Sequence, residues 1–396
     1  MKKILFIILL LTGLLLEAFS QEGAASSLTT AQAQNRDCSA VNQLFEKYSQ
    51  EEGIHNAFFR MERADGVILD LVSGSFTNGE KVSLNTPYYS ASIGKTFTAT
   101  AIAQLVEAEA LSYDDKVADH LDTLVKGLAV VEGVDYGHQL TIHHLLSHTS
   151  GLPDYFEDQP AAGVNMIQKL FLEPDRFWEP VELISFTKNH FQAHFQPGQG
   201  YHYTDTEYVL LGLIIEKVTG LPLHEYFEEH IFNPLTMELT SMNLRSEPAA
   251  KPDFPLAEIY VGPMEISRYQ SLSADWAGGA IRSTGKDLNT FLKTLLQGAL
   301  VSKEGLANMQ QWIPESQGTY YGYGLRKWVL NELDATLPPF SLIGHSGSTG
   351  AFMYYCPELE VYLSGTFNNT DFLKEHIMFM VEVLMQFSQN AQQPQR

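Results

Sequence analysis

With 396 residues, of which 44% are hydrophobic and 18% charged, the chain is long enough to bury a large core as one big domain or two closely packed lobes. Its formal net charge of −22 argues against nucleic acid or an anionic lipid surface as a partner, because both are negatively charged. The acidity says nothing about a substrate, since acidic surfaces are common.

The N-terminus has the pattern of a signal peptide. A basic start is followed by the apolar run Ile4–Leu16 and by small residues at Ala18 and Ser20, which predict a cut before Gln21. The apolar run is shorter than the roughly 20 residues that a spanning helix needs. We therefore expect residues 1–20 to be removed on export to the periplasm or the extracellular medium, leaving no stable membrane span.

The rest of the chain predicts an α+β fold in one domain over residues 38–388, between a flexible polar tail at 21–37 and a polar tail at 389–396. Apolar spacing predicts helices, and alternating runs between turn residues predict strands. In chain order these are a helix at Cys38–Gln50, strands at Asn56–Met61 and Val67–Val72, a helix at Thr96–Leu111, a mainly helical insert at about 113–269, a helix at Lys286–Leu296, strands at Gly322–Trp328, Ser341–Gly344, Gly350–Tyr355 and Val361–Phe367, and a closing helix at Phe372–Phe387. Strands at both ends of the chain indicate one antiparallel sheet flanked by helices, with a mainly helical second region.

The two cysteines, Cys38 and Cys356, lie near opposite ends of the predicted domain. Export permits a disulfide between them, but the sequence leaves their pairing open. It also leaves the oligomeric state open.

The most informative stretch surrounds Ser92, where a turn-forming segment meets the start of an apolar helix. Ser92 is predicted in the first turn of that helix, with Lys95 one turn on and on the same side. Unpaired N–H groups and the helix dipole stabilise an oxyanion at such a position, and a desolvated amine can accept the hydroxyl proton. The pattern suits a serine nucleophile with a lysine base, although a simple helix cap at Ser92 fits the local sequence equally well.

The Ser-x-x-Lys spacing occurs three times, beginning at Ser92, Ser185 and Ser283. Ser185 lies inside a helical pattern that no turn precedes. Ser283 comes before a predicted capping box, in which Thr284 caps a helix and Asp287 reaches back. The spacing alone therefore does not single out Ser92.

Two later stretches could place side chains in a cleft. Residues 195–205 join a Pro-Gly turn to aromatic residues at the start of a helix, where Tyr203 as a packed aromatic and Asp205 or Thr204 as a cap are the simpler interpretation. Residues 343–350 are rich in glycine, which lets a strand edge approach a ligand closely. This second stretch is not a nucleophile elbow, because it lacks the second glycine and the strand-to-helix turn.

Two histidine pairs, His144/His148 and His190/His194, have the one-turn spacing of zinc ligands. Neither has a glutamate beside its first histidine, as metalloprotease chemistry needs, and neither encloses a carboxylate. We expect no metal and no cofactor.

Taken in order, these stretches resemble the serine β-lactamase-related family, which includes class C β-lactamases, D-alanyl-D-alanine carboxypeptidases, D-amino-acid peptidases and related esterases. The motifs that carry the resemblance are Ser-x-x-Lys at Ser92 and Lys95, Tyr-x-Asn at Tyr203-Thr204-Asp205 with Asp in place of Asn, and Lys/His-x-Gly at His345-Ser346-Gly347. Supporting segments are Leu140–Leu152, Leu210–Gly220 and Ala277–Gly279. The resemblance covers most of residues 41–387 and implies the same antiparallel sheet with a helical region beside it.

The resemblance also implies roles for these residues. Ser92 would attack a carbonyl to form an acyl-enzyme, and Lys95 and Tyr203 would handle the protons. The backbone N–H groups of Ser92 and Ser348 would form an oxyanion hole. Substrate binding would fall to Asp205, His345 and Gly347, and a strand from Ser348 would pair with the substrate backbone. His345 would help to bind the carboxylate of the substrate or would polarise Tyr203.

Two departures from the family pattern bear on the chemistry. His345 stands where many β-lactamases have lysine, so a fixed positive charge is missing near neutral pH unless the pKa of His345 is shifted. An ionised Asp205 can only accept hydrogen bonds. Close to Lys95 it would favour the charged amine, which would shift the proton path towards Tyr203.

The sequence thus predicts an exported serine hydrolase that acts on a small peptide, an ester or a β-lactam. A D-amino-acid peptidase or carboxypeptidase, or a small-ester hydrolase, is favoured over a β-lactamase proper. The alternatives are a non-catalytic protein that binds peptidoglycan peptides or penicillin, and an acyltransferase that uses the same residues.

Overall fold

The computed structural model describes residues 30–63 and 66–391, so the predicted signal peptide lies outside the described residues. In chain order, the strands are β1 Asn56–Arg63, β2 Gly66–Gly74, β3 Tyr88–Tyr89, β4 Val130–Val131, β5 Val134–Asp135, β6 Ser241–Met242, β7 Tyr260–Val261, β8 Met264–Glu265, β9 Ile281–Ser283, β10 Ile313–Ser316, β11 Thr319–Tyr321, β12 Arg326–Val329, β13 Ser341–Ser346, β14 Phe352–Cys356 and β15 Val361–Thr366. The α-helices are α1 Thr30–Ser49, α2 Gly94–Glu107, α3 Val117–Val125, α4 Ile142–Leu146, α5 Met166–Leu172, α6 Pro180–His190, α7 Asp205–Thr219, α8 Leu223–Phe227, α9 Trp276–Gly279, α10 Gly285–Leu296, α11 Lys303–Met309, α12 Leu330–Leu333 and α13 Glu375–Ala391.

Eight strands form one sheet in the order β10-β11-β12-β13-β14-β15-β1-β2, and each neighbouring pair is antiparallel. The N-terminal hairpin joins the C-terminal strands through β1 and β15, where Phe58 lies opposite Thr366. Strand β3, just before Ser92, belongs to a separate three-stranded sheet with β9 and β6. The predicted fold class, an antiparallel sheet flanked by helices with a mainly helical second region, is confirmed.

The main sheet has a hydrophobic core on each face, because side chains alternate along its strands. Helices α1 and α13 cover one face, where Phe379 of α13 packs edge-on against Phe59 of β1 with 4.9 Å between ring centroids. Helix α10 contacts β1, β14 and β15 on the other face. In β14, Phe352 and Tyr354 join the first core, whereas Met353 joins the second.

Helix α2 is buried along most of its length, between the sheet and the helical region. Small residues let neighbouring elements approach it closely, and its threonine hydroxyls satisfy their hydrogen bonds inside the protein. Thr96 donates to the carbonyl of Gly324 (2.7 Å) and Thr98 donates to that of Ala277 (2.7 Å). The helix that begins beside Ser92 is therefore fixed on several sides.

The boundaries differ from the sequence predictions at a few places. Helix α1 begins at Thr30, so part of the predicted 21–37 tail is helical, and α13 runs to Ala391, into the predicted 389–396 tail. The predicted strand Gly322–Trp328 begins later, at Arg326, because Gly322 donates to the carbonyl of Leu325 (2.8 Å) and forms a turn.

No disulfide joins Cys38 to Cys356, which is buried in β14. Within the described residues, no helix combines the length and the apolar character needed to cross a membrane.

Candidate active site

Ser92 lies in a short 3₁₀ helix, Ala91–Ile93, that continues directly into α2. Ser90 fixes the entry to this turn, because its backbone N–H and its hydroxyl both donate to the carbonyl of Ile281 (2.9 and 2.8 Å). Ala91 has a φ of 47°, a strained value for a residue with a side chain. Strain of this kind is characteristic of positions that present a reactive group, and here it places the half-buried Ser92 at the positive end of the helix.

Lys95 is fully buried, and its ammonium group has three acceptors. Its Nζ lies 3.3 Å from Ser92 Oγ and 3.1 Å from the carbonyl oxygen of Gly278, and it contacts Asp205 Oδ1. A charged lysine has three hydrogens to donate, so these acceptors use all of them. Burial alone would lower the pKa of Lys95, but the nearby carboxylate of Asp205 raises it above its ordinary value. At rest, Lys95 is therefore an ammonium that donates to Ser92.

Asp205, the first residue of α7, joins Lys95 to a group of buried acids. Its backbone N–H donates to Asp154 Oδ1 (2.9 Å). Burial and the charge of Asp205 raise the pKa of Asp154 well above its ordinary value and that of Asp275 to about 7. The sequence left open whether Asp205 touches Lys95, and the structure places them in contact.

Tyr203 completes the group around the nucleophile. Its ring centroid lies 4.9 Å from Lys95 Nζ, and Ser92 is among the groups that lower the pKa of its hydroxyl. Burial raises the pKa of Tyr203 to about 12, although the charge of Lys95 opposes the rise. Thr204, rather than Asp205, caps α7 by accepting from the N–H of Thr206 (3.1 Å).

His345 is fully buried in β13, and both ring nitrogens have partners inside the protein. Its Nδ1 lies 2.8 Å from the carbonyl oxygen of Ser346 and so must carry the hydrogen, which leaves Nε2 to accept from the hydroxyl of Tyr321 (3.2 Å). Burial lowers the pKa of His345 well below its ordinary value, so the ring is neutral at pH 7. In this structure the ring holds the hydroxyl of Tyr321, and a part for His345 in substrate binding stays a prediction.

Gly347 and Ser348 lie beside the nucleophile turn. A Cβ at Gly347 would overlap the carbonyl oxygen of Ser90, so glycine is required for this close approach. Ser348 lies in the tight turn after β13 rather than at the start of a strand, which corrects the sequence expectation. Strand β13 pairs with β12 only as far as Gly344, and His345 lies beyond the last pair. The edge of β13 that is open to a substrate backbone therefore comes before Ser348.

Arg326 supplies a positive charge that the motif analysis did not find. Its guanidinium carbon lies 5.3 Å from the ring centroid of Tyr203, and Glu315 binds it with two hydrogen bonds of 2.8 Å. The sequence offered only a weak signal, an arginine directly after Gly322-Tyr323-Gly324-Leu325 at the start of a strand.

A buried pair behind Tyr203, formed by His148 and Glu207, was also missed. His148 Nδ1 contacts Glu207 Oε2, and the imidazole centroid lies 4.3 Å from that of Tyr203. Burial lowers the pKa of His148 and raises that of Glu207, so both directions favour an uncharged pair. Glu207 is two residues beyond Asp205 on α7, and nothing in its local pattern predicted this contact.

The other two Ser-x-x-Lys serines lie away from this group. Ser185 is exposed on α6 and donates to the carbonyl of Val181 (2.9 Å). Ser283 is buried in β9, with its Oγ 2.7 Å from that of Thr240. Thr284 caps α10 as predicted, but Asp287 accepts from Thr240 (2.8 Å) instead of reaching back.

A serine whose partner is a lysine one turn along the same helix defines a class of serine hydrolases different from those built on a Ser-His-Asp triad. The fold and this group of residues place the chain in the former class. It belongs to the Beta-lactamase family, whose model matches residues 41–378.

Known proteins in this family include three that resemble the chain. Penicillin-binding protein 4* of Bacillus subtilis is 29% identical over 333 residues, which are 76% of this chain and 67% of that protein. A putative D-alanyl-D-alanine carboxypeptidase of Salmonella paratyphi A is 24% identical over 304 residues, which are 68% of this chain and 66% of that protein. A D-stereospecific amidohydrolase from Streptomyces sp. superposes with a TM-score of 0.69 at 28% identity, over 84% of this chain and 94% of that one. The chain thus spans about two thirds of the length of the two curated relatives.

Proposed function

We propose that this protein is an exported serine hydrolase that cleaves an amide or ester bond through an acyl-enzyme on Ser92. The observation that carries the proposal is the meeting of three reactive groups at one point. Lys95 Nζ lies 3.3 Å from Ser92 Oγ and 4.9 Å from the centroid of the Tyr203 ring, and Ser92 is among the groups that lower the pKa of Tyr203. A nucleophile, an ammonium and a phenol are therefore arranged around one attacking oxygen.

The reaction has two halves. Ser92 Oγ attacks the carbonyl carbon and passes its proton to the phenol oxygen of Tyr203, which releases its own proton towards the leaving group, while the ammonium of Lys95 stabilises negative charge on that oxygen during the relay. The proton then passes to the leaving amine or alcohol as the C–N or C–O bond breaks. Water attacks the acyl-enzyme, releases the acid and restores the hydroxyl of Ser92. The backbone N–H groups of Ser92 and Ser348 are the proposed donors to the oxyanion.

We favour a substrate with a D-amino-acid residue, either a short peptide or an amide. The names of the carboxypeptidase and amidohydrolase relatives support this class. The structure adds Arg326, a cation beside Tyr203 that could receive a substrate carboxylate in exchange for Glu315. A neutral His345 and an acid at 205 in place of the family amide weigh against an efficient β-lactamase.

One observation favours a second candidate, a protein that binds such peptides without turning them over. The contact between Asp205 and Lys95 stabilises the ammonium form, which cannot act as a base. Labelling of Ser92 by a fluorophosphonate or a fluorescent penicillin separates the two. Stoichiometric labelling supports the hydrolase, and no labelling supports the binder.

The chain carries its own control for the nucleophile. Ser92→Ala should abolish hydrolysis of an activated ester and of a D-alanyl-D-alanine peptide, whereas Ser185→Ala removes an exposed serine with the same Ser-x-x-Lys spacing and should leave both rates unchanged. Equal rates for Ser92→Ala and the wild type would contradict the proposal. A panel of D-alanyl-D-alanine peptides, short-chain esters and a chromogenic cephalosporin, with and without an added amine acceptor, then distinguishes peptidase, esterase, β-lactamase and acyltransferase.

Export has a separate test. The mass of the mature protein isolated from the producing cell should correspond to a chain that begins at Gln21. A cytoplasmic protein that retains residues 1–20 would contradict export and leave the proposed chemistry untouched.

A further inference from the structure

Three side chains with metal-binding atoms meet outside the group around Ser92. Asp158 Oδ2 lies 2.7 Å from His194 Nε2 and 3.0 Å from His202 Nε2, and the rings of the two histidines lie 4.0 Å apart. One potential ligand atom from each residue lies within 4.8 Å of the other two. All three groups therefore point towards a common centre.

Two imidazoles and one carboxylate are ligands that zinc commonly takes, with bonds of about 2.0–2.2 Å. Tetrahedral bonds of that length place neighbouring ligand atoms about 3.3 Å apart. The two distances to Asp158 Oδ2 are shorter by a few tenths of an ångström, so small side-chain rotations would open the space for an ion. The side chains of Asp158, His194 and His202 are 18%, 41% and 27% exposed, so an ion can reach them from solvent.

The backbone already holds these ligands in place. Asp158 Oδ2 also accepts from the N–H of Asp154 (2.8 Å), and the N–H of His194 donates to the carbonyl of Gly151 (2.8 Å). The N–H of His202 donates to the carbonyl of His148 (2.9 Å). Such anchoring orients metal ligands before the ion arrives.

The position of the cluster connects it to the active site. His202 directly precedes Tyr203, and Asp154, which donates to Asp158, accepts from the N–H of Asp205. An ion bound here would fasten two segments that carry active-site groups. The net charge of −22 would also concentrate cations near the protein.

We propose that Asp158, His194 and His202 bind a divalent transition-metal ion, with Zn²⁺ as the best fit to two nitrogen ligands and one oxygen ligand. This proposal revises the sequence expectation of no metal. That expectation considered only histidines one helical turn apart, and the structure separates those pairs. The ring of His190 packs on Phe186 with 4.8 Å between centroids, while His194 faces His202 across the Pro-Gly turn.

The test is a Zn²⁺ titration of the untagged full chain, stripped with EDTA, in competition with a chromophoric chelator. One equivalent should bind per chain, and His194→Ala and His202→Ala should each weaken binding by at least about tenfold. Asp158→Asn keeps the shape of the side chain and removes its charge, and it should weaken binding as well. Bound Zn²⁺ should raise the melting temperature of the wild type and not that of His194→Ala.

His138→Ala is the matched control, because His138 and Asp122 form an exposed pair of one histidine and one carboxylate (3.5 Å) that no third metal-binding side chain joins within residues 30–63 and 66–391. Its affinity for Zn²⁺ should equal that of the wild type. Loss of binding in His138→Ala together with full binding in His194→Ala would overturn the assignment, as would the absence of a stoichiometric site in the wild type. Both measurements are independent of hydrolysis, so they stand even if the proposed function fails.

Discussion

Asp205→Asn is the substitution that most directly tests the electrostatics of this site. Asn is nearly the same size and keeps an oxygen for Lys95 Nζ, but it removes the carboxylate in contact with that amine. Two unit charges about 4 Å apart interact by about 4 kcal/mol at an effective dielectric constant near 20. At about 1.4 kcal/mol per unit, this corresponds to a fall of about 3 units in the pKa of Lys95.

Asp205 also raises the pKa of Tyr203, so removing it lowers the pKa of both proton-handling groups. The rise of kcat/KM with pH should therefore move to lower pH in Asp205→Asn, by about 3 units if Lys95 controls it. The assay is hydrolysis of an activated ester between pH 5 and pH 10, with the amount of acylated Ser92 measured in parallel.

The Asp205→Asn substitution should also lower the stability of the fold. The folded pKa of Lys95 lies above its unfolded value of about 10.4, so the pair stabilises the fold fully below that pH and loses its effect only as the pH rises through the folded value. Removing one partner of a buried pair typically costs about 3–5 kcal/mol. We expect a loss of stability near the lower end of this range at pH 7, because the asparagine oxygen can still accept from Lys95. Urea unfolding measures this loss.

Asp154→Asn is the control for this prediction. Asp154 contacts the backbone of Asp205 rather than Lys95, and burial raises its pKa well above its ordinary value. Its replacement should leave the pH–rate profile in place. A profile that is the same in Asp205→Asn and the wild type would refute the reasoning, because the carboxylate would then have no influence on the group that titrates.

Three further substitutions test other parts of the site. Tyr203→Phe should keep the fold and lower the acylation rate about 10²–10⁴-fold, the range for a lost acid–base group, as measured by stopped-flow labelling. Gly347→Ala should abolish acylation, because its Cβ would overlap the carbonyl oxygen of Ser90 and displace the turn, and the same labelling assay measures it. Glu207→Gln should gain stability relative to the wild type as the pH rises from 5 to 9, measured by urea unfolding. The folded pKa of Glu207 is raised, so the native wild type holds a proton that the unfolded chain has released, and its stability falls as the pH rises.

Each of these predictions has an outcome that contradicts it. Wild-type labelling of Tyr203→Phe would remove the phenol from the proton path. Normal labelling of Gly347→Ala would show that the turn can move without cost. If the stability difference between Glu207→Gln and the wild type did not change with pH, Glu207 would be ionised in the folded protein and its pair with His148 would be charged.

Most secondary structure elements were predictable because their apolar spacing is regular. The predicted helix Lys286–Leu296 differs from α10 by one residue, and the predicted strand Val361–Phe367 differs from β15 by one. The early part of the predicted strand Gly322–Trp328 failed for a tertiary reason, since Gly324 packs against α2 and accepts from Thr96 there. Alternating residues cannot reveal a turn that a distant helix imposes.

The candidate site was predictable only where residues fall into motifs. Ser92 and Lys95 are three residues apart, and the turn that precedes them marks a helix start. Arg326 of β12 approaches the ring of Tyr203, and Glu207 in the first turn of α7 contacts His148 behind that ring, and no local pattern marks either contact. The same holds for His202, whose contact with Asp158 spans 44 residues.

The charge balance around Lys95 explains how an acid at position 205 is compatible with a working site. Asp205 contacts Lys95, and the buried carboxyl group of Asp275 also acts on the charge of Lys95. Several full charges are costly to bury together. Burial and the charge of Asp205 raise the pKa of Asp275 to about 7, so Asp275 is partly protonated near neutral pH. A second negative charge therefore develops near Lys95 at mildly alkaline pH and favours the ammonium further, and so the basicity of Lys95 depends on Asp275 as well as on Asp205.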